Sequence, residues 1–149
     1  MSNRPERPGR EGFAHFTRLP TRWGDNDVYG HVNNIVYYTY CETSICALMV
    51  EQGALNIATS PVIGLVVSSG CNYFAPITFP DTVTVGLRVA HLGNSSVRFE
   101  LGLFRNDEQQ ASAAVHMTYV YVERASSTPV PVPAAVRDVL GLLGARGPA

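Results

Sequence analysis

The chain contains no lysine: all 11 positions counted as Lys or Arg are arginine. Charged side chains of both signs make up 15% of its 149 residues, well under the ~25% of an ordinary globular domain. The formal net charge is −1, so the basic footprint of a nucleic-acid binder is missing. Three cysteines, an odd number in a chain long enough to fold without staples, make no disulfide framework, and a reducing cytoplasm is the expected setting. The first twelve residues, MSNRPERPGREG, lack the apolar stretch of a secretory signal. No later segment reaches the ~18 uninterrupted apolar residues of a membrane span. Neither a G-x-S-x-G elbow nor a glycine-rich phosphate loop occurs, which removes serine hydrolases and nucleotide enzymes. Cys41, Cys46 and Cys71 and the histidines at 15, 31, 91 and 116 share no ligand spacing, so no metal site is expected.

What is present is 46% hydrophobic residues, in a chain able to bury roughly two-thirds of its unfolded surface. With so little charge, part of that surface is expected to lie against a partner, most simply a second copy. Phe13 to Trp23 alternates and is broken by Pro20, which suits an edge strand running into a turn, Asp25 to Asn34. Ile35 to Val50 holds twelve apolar residues in sixteen, spaced as a helix at Tyr38, Cys41, Ile45 and Leu48. So wide an apolar surface predicts a helix enclosed by other structure, begun by Asn33 or Asn34 and ended at Gly53. Strands are predicted at Val62 to Phe74, Val83 to Ala90, Val97 to Leu103 and Ala113 to Val122, the last two joined as a hairpin by RNDEQQ. TPVPVP ends the sheet, and Ala134 to Leu143 is predicted to form a short helix. The expected organisation is a disordered arm over residues 1–12, one domain over 13–143 and a frayed tail over 144–149. One enclosed helix followed by strands on short turns implies an α+β domain whose antiparallel sheet curls round the helix.

The string RWGDNDVYGHVNNIVYYTYCE resembles the opening motif of the hotdog-fold acyl-CoA thioesterases of the 4-hydroxybenzoyl-CoA thioesterase type, D-x-D-x-x-G-H-V-N-N followed by aromatic residues on the central helix. NYFAPITFPDTVTVGLRV, GNSSVRFELGLF and RASSTPVPVP extend the likeness over about Phe13 to Leu143. The resemblance implies a hotdog fold, hydrolysis of an acyl thioester without a cofactor, and a homodimer or homotetramer whose subunits pair their sheets and share the site. By motif position, Asp27 is the catalytic carboxylate, as nucleophile or general base, and the Asn34 backbone N–H is the oxyanion donor. The second assignment agrees with the unpaired N–H groups and positive dipole end of a helix start.

Each of these residues also has a plainer role. Asp27 and Asp25 both suit turn formation ahead of glycine, Asp25 the better of the two. His31 either donates to substrate or orients Asp27, or else simply packs beside Gly30. Asn33 suits an N-cap, and Tyr29 either lines an acyl pocket or sits half out of water. Glu42, a carboxylate in an apolar helix, needs a partner: His31, as an acid/base pair of the kind hotdog hydratases and dehydratases use, or a salt bridge such as one to Arg22. Ser95 and Ser96 match the place where some relatives meet coenzyme A. HLGNSS has no Lys or Arg there, which leaves acyl-CoA and acyl carrier protein both open as thioester carriers. Besides a thioesterase, the residues fit a hydratase or dehydratase using His31 and Glu42, or an acyl-thioester binding module in which Asp27 only shapes the turn.

Overall fold

The computed structural model describes residues 5–145. In chain order its elements are β1 (His15–Pro20), α1 (Val36–Glu51), β2 (Val62–Tyr73), β3 (Thr82–Leu92), β4 (Ser96–Arg105), β5 (Ala113–Glu123) and α2 (Ala134–Leu142), with single 3-10 turns at Arg10–Gly12 and Trp23–Asp25. The strands form one antiparallel sheet in the order β1-β3-β4-β5-β2. The α+β class, the long helix and the wrapping sheet are those expected from the sequence. No helix among the described residues is long and apolar enough to cross a membrane.

Pro20 cannot donate to a ladder, and β1 accordingly takes one edge of the sheet. The other edge belongs to β2, which pairs with β5 and leaves its far side open. That edge is long and apolar, with Leu65, Val66 and Val67 exposed, Val67 at 61%. On the inner face Tyr37, Tyr40, Cys41, Ile45 and Leu48 of α1 pack with Val85, Leu87, Phe99, Leu101 and Met117 of the sheet, and Val136 and Leu140 of α2 close one end. The expectation that α1 is enclosed all round therefore needs correction. Five strands cover one side of the helix only, and Thr39, Glu42, Thr43 and Val50 remain exposed.

The outer face is built around a gap. Gly86 and Gly102 are register partners on β3 and β4, and the Phe13 ring lies over both. Phe13 stands edge-on to Phe104 at 5.8 Å between centroids, while Arg88 covers it at 5.0 Å. The arm expected to be disordered over residues 1–12 is held from Arg7 onward: Arg7 Nε donates to Ala111 O (2.7 Å), and Arg10 donates through its side chain to Glu108 O and Asn106 O, both at 2.8 Å. Arginine forks satisfy the carbonyls of the β4–β5 turn, which is why this charged segment settles there. Residues 1–4 of the arm lie outside the described residues. At the other end Gly144, in the left-handed region at φ 83°, ends α2, and residues 146–149 of the expected tail lie outside the described residues.

A methyl group added at Gly102 meets Phe13 ring carbons at 2.8 Å and Phe104 at 3.0 Å, whereas one at Gly24 meets nothing within 4 Å. Gly102→Ala is expected to cost about 1–3 kcal/mol and lower Tm by several degrees, with Gly24→Ala near wild type, as read by thermal unfolding.

Candidate active site

The turn between β1 and α1 is pinned from beneath by Asp25. Its side chain is 1% exposed and accepts from Arg22 N–H (2.8 Å), the Arg22 guanidinium (3.1 Å) and the Tyr40 hydroxyl (2.7 Å). Burial pushes the Asp25 carboxyl up, but the Tyr40 hydroxyl, the Arg22 N–H and the Arg22 charge outweigh it and hold the group below its ordinary value. Tyr40 is buried on α1, so this cluster ties the turn to the helix across fifteen residues of sequence. The Asp25 carbonyl accepts Asn33 N–H (2.9 Å), and Val32 N–H reaches Ile77 O (2.7 Å). Between those ties the chain reverses tightly: Asp27 N–H donates to His31 O (2.9 Å), and Gly30 supplies the φ of 82° that the reversal needs.

Asp27 rides on this scaffold, half-buried. Its Oδ1 accepts Tyr29 N–H at 2.8 Å, and Asn33 Nδ2 lies 3.4 Å from Oδ2. One oxygen thus shapes the turn, as the plain role requires, and the other has only a long contact. Asp27, Tyr29, His31 and Asn34 line a single cavity of about 460 Å³ together with Tyr37 and Tyr73. Asn33 is not in its wall but serves both neighbours, since its Oδ1 also accepts Ile35 N–H (3.1 Å) at the start of α1.

The Asn34 N–H has no acceptor among the described residues, although the N–H groups on either side are taken. The Asn34 carbonyl accepts the Tyr73 hydroxyl at 3.0 Å, and the Tyr73 ring lies 5.0 Å from that of Tyr37. Burial, then the neighbouring Cys71, push the Tyr73 hydroxyl well up, so it stays protonated as a donor. Sequence reasoning missed Tyr73. Its signal was an aromatic residue at the end of a strand just before the Ala75–Pro76 turn, which only pairing with the helix start brings to this cavity. A residue with a free N–H and a carboxylate lining one cavity are the two components acyl transfer needs: a donor where charge develops on oxygen, and a group to attack or to take a proton.

Of the other expected residues, His31 shares this cavity without bonding Asp27, whereas Glu42, Ser95 and Ser96 lie outside it. The His31 imidazole makes no hydrogen bond among the described residues and does not orient the Asp27 carboxylate. Glu42 is exposed on α1 and outside the cavity, so it forms no acid/base pair with His31 within the chain. Its expected bridge to Arg22 is also absent, because Asp25 engages that guanidinium. Ser95 and Ser96 sit at the β3–β4 turn: Ser96 pairs with Val120 while Tyr73 pairs with Ala113, which puts them at opposite ends of β5, roughly 24 Å apart along the strand.

Because the Asp25 carboxyl is depressed, the stability it confers is present above about pH 3.8, its ordinary value, and is lost as pH falls through the folded-state value. Tyr40→Phe is expected to cost about 1.5–3 kcal/mol at pH 7. It also raises the folded-state value toward the ordinary one, which flattens the acid limb. Urea titrations at pH 7 and pH 3 check both effects.

Residues 21–140 match the family described as the thioesterase-like superfamily. The PA5185 protein from Pseudomonas aeruginosa strain PAO1 is 51% identical and superposes with a TM-score of 0.90, covering 93% of this chain and 96% of that one. The PA2801 protein from Pseudomonas aeruginosa is 32% identical, with a TM-score of 0.78 over 86% of this chain and 98% of its own. A thioesterase from Thermus thermophilus, complexed with coenzyme A and Zn, is 30% identical, with a TM-score of 0.72 over 91% of this chain and 99% of its own.

Proposed function

The chain belongs to the thioesterase-like superfamily, and from that premise we propose that it hydrolyses acyl-CoA, with Asp27 as the catalytic carboxylate and the Asn34 N–H as the oxyanion donor. The observation that carries the reading is that Asn34, whose N–H is unpaired, lines the same cavity as Asp27. With Asp27 as base, a water loses its proton to Asp27 Oδ2 as its oxygen bonds to the thioester carbon. The carbonyl oxygen gains the negative charge and accepts from Asn34 N–H. When the C–S bond breaks, the pair of electrons leaves on sulfur, which takes up the proton, giving free acid and thiol. With Asp27 as nucleophile the same oxygen attacks directly, and water then cleaves the resulting anhydride. Tyr29 and His31 border the entrance and meet the acyl or pantetheine part of the substrate, while Asn33 steadies Asp27.

The reading includes a pair of subunits. Two β2 edges joined antiparallel would cover the exposed Leu65, Val66 and Val67 and bring the open side of α1 against a second copy. Because Ser96 pairs with Val120, the β5 residue facing Leu65 toward the start of β2, the Ser95–Ser96 turn of one copy then lies toward the Asp27 end of the other. Acyl-CoA is favoured over acyl carrier protein because the Thermus thermophilus relative is complexed with coenzyme A.

Asp27→Asn keeps the Tyr29 N–H contact and removes the charge. It is expected to lower kcat for thiol release by about 10²–10⁴-fold with little change in Tm; unchanged turnover removes Asp27 from the chemistry. If the wild type releases no thiol from any acyl-CoA yet is stabilised by one, the chain is a binding module and Asp27 a turn residue. Val67→Asp, which puts a charge on the open edge, is expected to shift the sedimentation coefficient from dimer toward monomer and to reduce turnover with it.

A further inference from the structure

The outer face of the sheet holds a cavity of about 210 Å³ that shares no lining residue with the one at Asp27. The N-terminal arm forms one side of it through Pro8, while Asn72, Arg88, Arg98, Glu100 and His116 bring polar groups to it from four strands. Strand register assembles the cluster. Arg88 faces Glu100, Glu100 faces His116 and His116 faces Gly70, so β3, β4, β5 and β2 each place one residue in a row. Arg98 stands two residues before Glu100 on β4 and therefore on the same face. Gly70 gives the row its floor: the His116 ring lies across it, and a methyl group there would overlap that ring.

The polar groups of this cavity do not satisfy one another. Arg88 is engaged, since its Nη1 donates to Gly12 O at 3.0 Å and its Nε lies 3.5 Å from Glu100 Oε1. Arg98 is half-buried and makes no hydrogen bond or ion pair among the described residues. The chain treats its other half-buried arginines differently: Arg7, Arg10 and Arg137 donate to backbone carbonyls, and Arg105 pairs with Asp81 at 2.8 Å. A guanidinium partly withdrawn from water has five N–H donors to satisfy, so Arg98 is the exception that calls for an acceptor. In the same wall His116 Nδ1 is buried and without a partner among the described residues, whereas buried polar atoms are bonded as a rule.

The planar fork of arginine matches an oxyanion, carboxylate or phosphate, through paired N–H groups. Charge chooses between them. Two guanidiniums against the single Glu100 carboxylate leave one positive charge uncompensated, which a monoanion balances. A doubly charged phosphate would overshoot and be repelled by Glu100. The space is several times the ~30 Å³ that a water occupies in the liquid, enough for a carboxylic acid of a few heavy atoms. We propose that the outer cavity is a binding site for a small monocarboxylate, held by the Arg98 guanidinium beside His116. The site is separate from the Asp27 cavity, so it stands or falls apart from thioester hydrolysis.

NMR of the full chain decides it, by following the Arg98 Nε–H and His116 ring signals as sodium acetate is added, with sodium chloride at equal ionic strength as the reference. Acetate is expected to shift both signals along a saturating curve that chloride does not produce. Arg98→Met keeps the aliphatic stem and removes no bond among the described residues, so its fold is retained. In that variant half-saturation of the His116 shift is expected to need at least about tenfold more acetate. Glu100→Gln removes the repelling carboxylate and is expected to tighten acetate several-fold and to admit inorganic phosphate. Acetate curves that match chloride, or that ignore the loss of Arg98, overturn the proposal and leave Arg98 a solvated charge. Saturation of the wild type by phosphate and not by acetate overturns the carboxylate assignment.

Discussion

Asp25 is the buried charge on which the geometry of the site depends. A carboxylate that is 1% exposed is tolerable only with donors on its oxygens, and Arg22 and Tyr40 provide them from the two segments that flank the turn. The arrangement is charge-assisted on the arginine side and buried on the tyrosine side, so it is both strong and directional. Because its backbone carbonyl also takes Asn33 N–H, the same residue sets where α1 begins. The position of the Asn34 N–H and that of Asp27 are therefore not independent. Both follow from one clamp beneath the turn.

The two aspartates of the motif divide the work by environment. Asp25 is enclosed and fully engaged, so it can only be structural. Asp27, two residues on, is half-buried, bonds the turn through Oδ1 and keeps Oδ2 toward the Asn33 amide. The turn bond fixes the carboxylate's orientation, which is itself a requirement for positioning a base or nucleophile. Tyr73 adds a tie from the far edge of the sheet by donating to the Asn34 carbonyl, so the helix start is held from two sides.

The sheet has two faces with separate tasks. On the outer face Phe13 fills the hollow left by Gly86 and Gly102, and the arginines of the arm bind the β4–β5 turn. On the inner face the helix leaves two separate spaces, one beside its start and one beside its C-terminal half.

The sequence by itself determined the local elements, because their causes are local. Pro20 bars a central strand, RNDEQQ breaks one, Asn33 bonds the N–H two residues on, and twelve apolar residues in sixteen make a buried-type helix. The motif also singled out Asp27, Tyr29, His31 and Asn34, which share a cavity because a ten-residue turn cannot carry them far apart. Tertiary structure decided whatever depends on pairing between distant segments. It brought Tyr73 to Asn34 across 39 residues, left Glu42 exposed, and set Ser95 and Ser96 at the far end of β5. It also docked an arm whose composition reads as disorder, since no pattern within Arg7 and Arg10 announces the carbonyls of a turn about a hundred residues away. Strand order, and with it the choice of β2 as an open edge, comes from which ladders close best round the helix, a comparison of long-range contacts that no window of sequence contains.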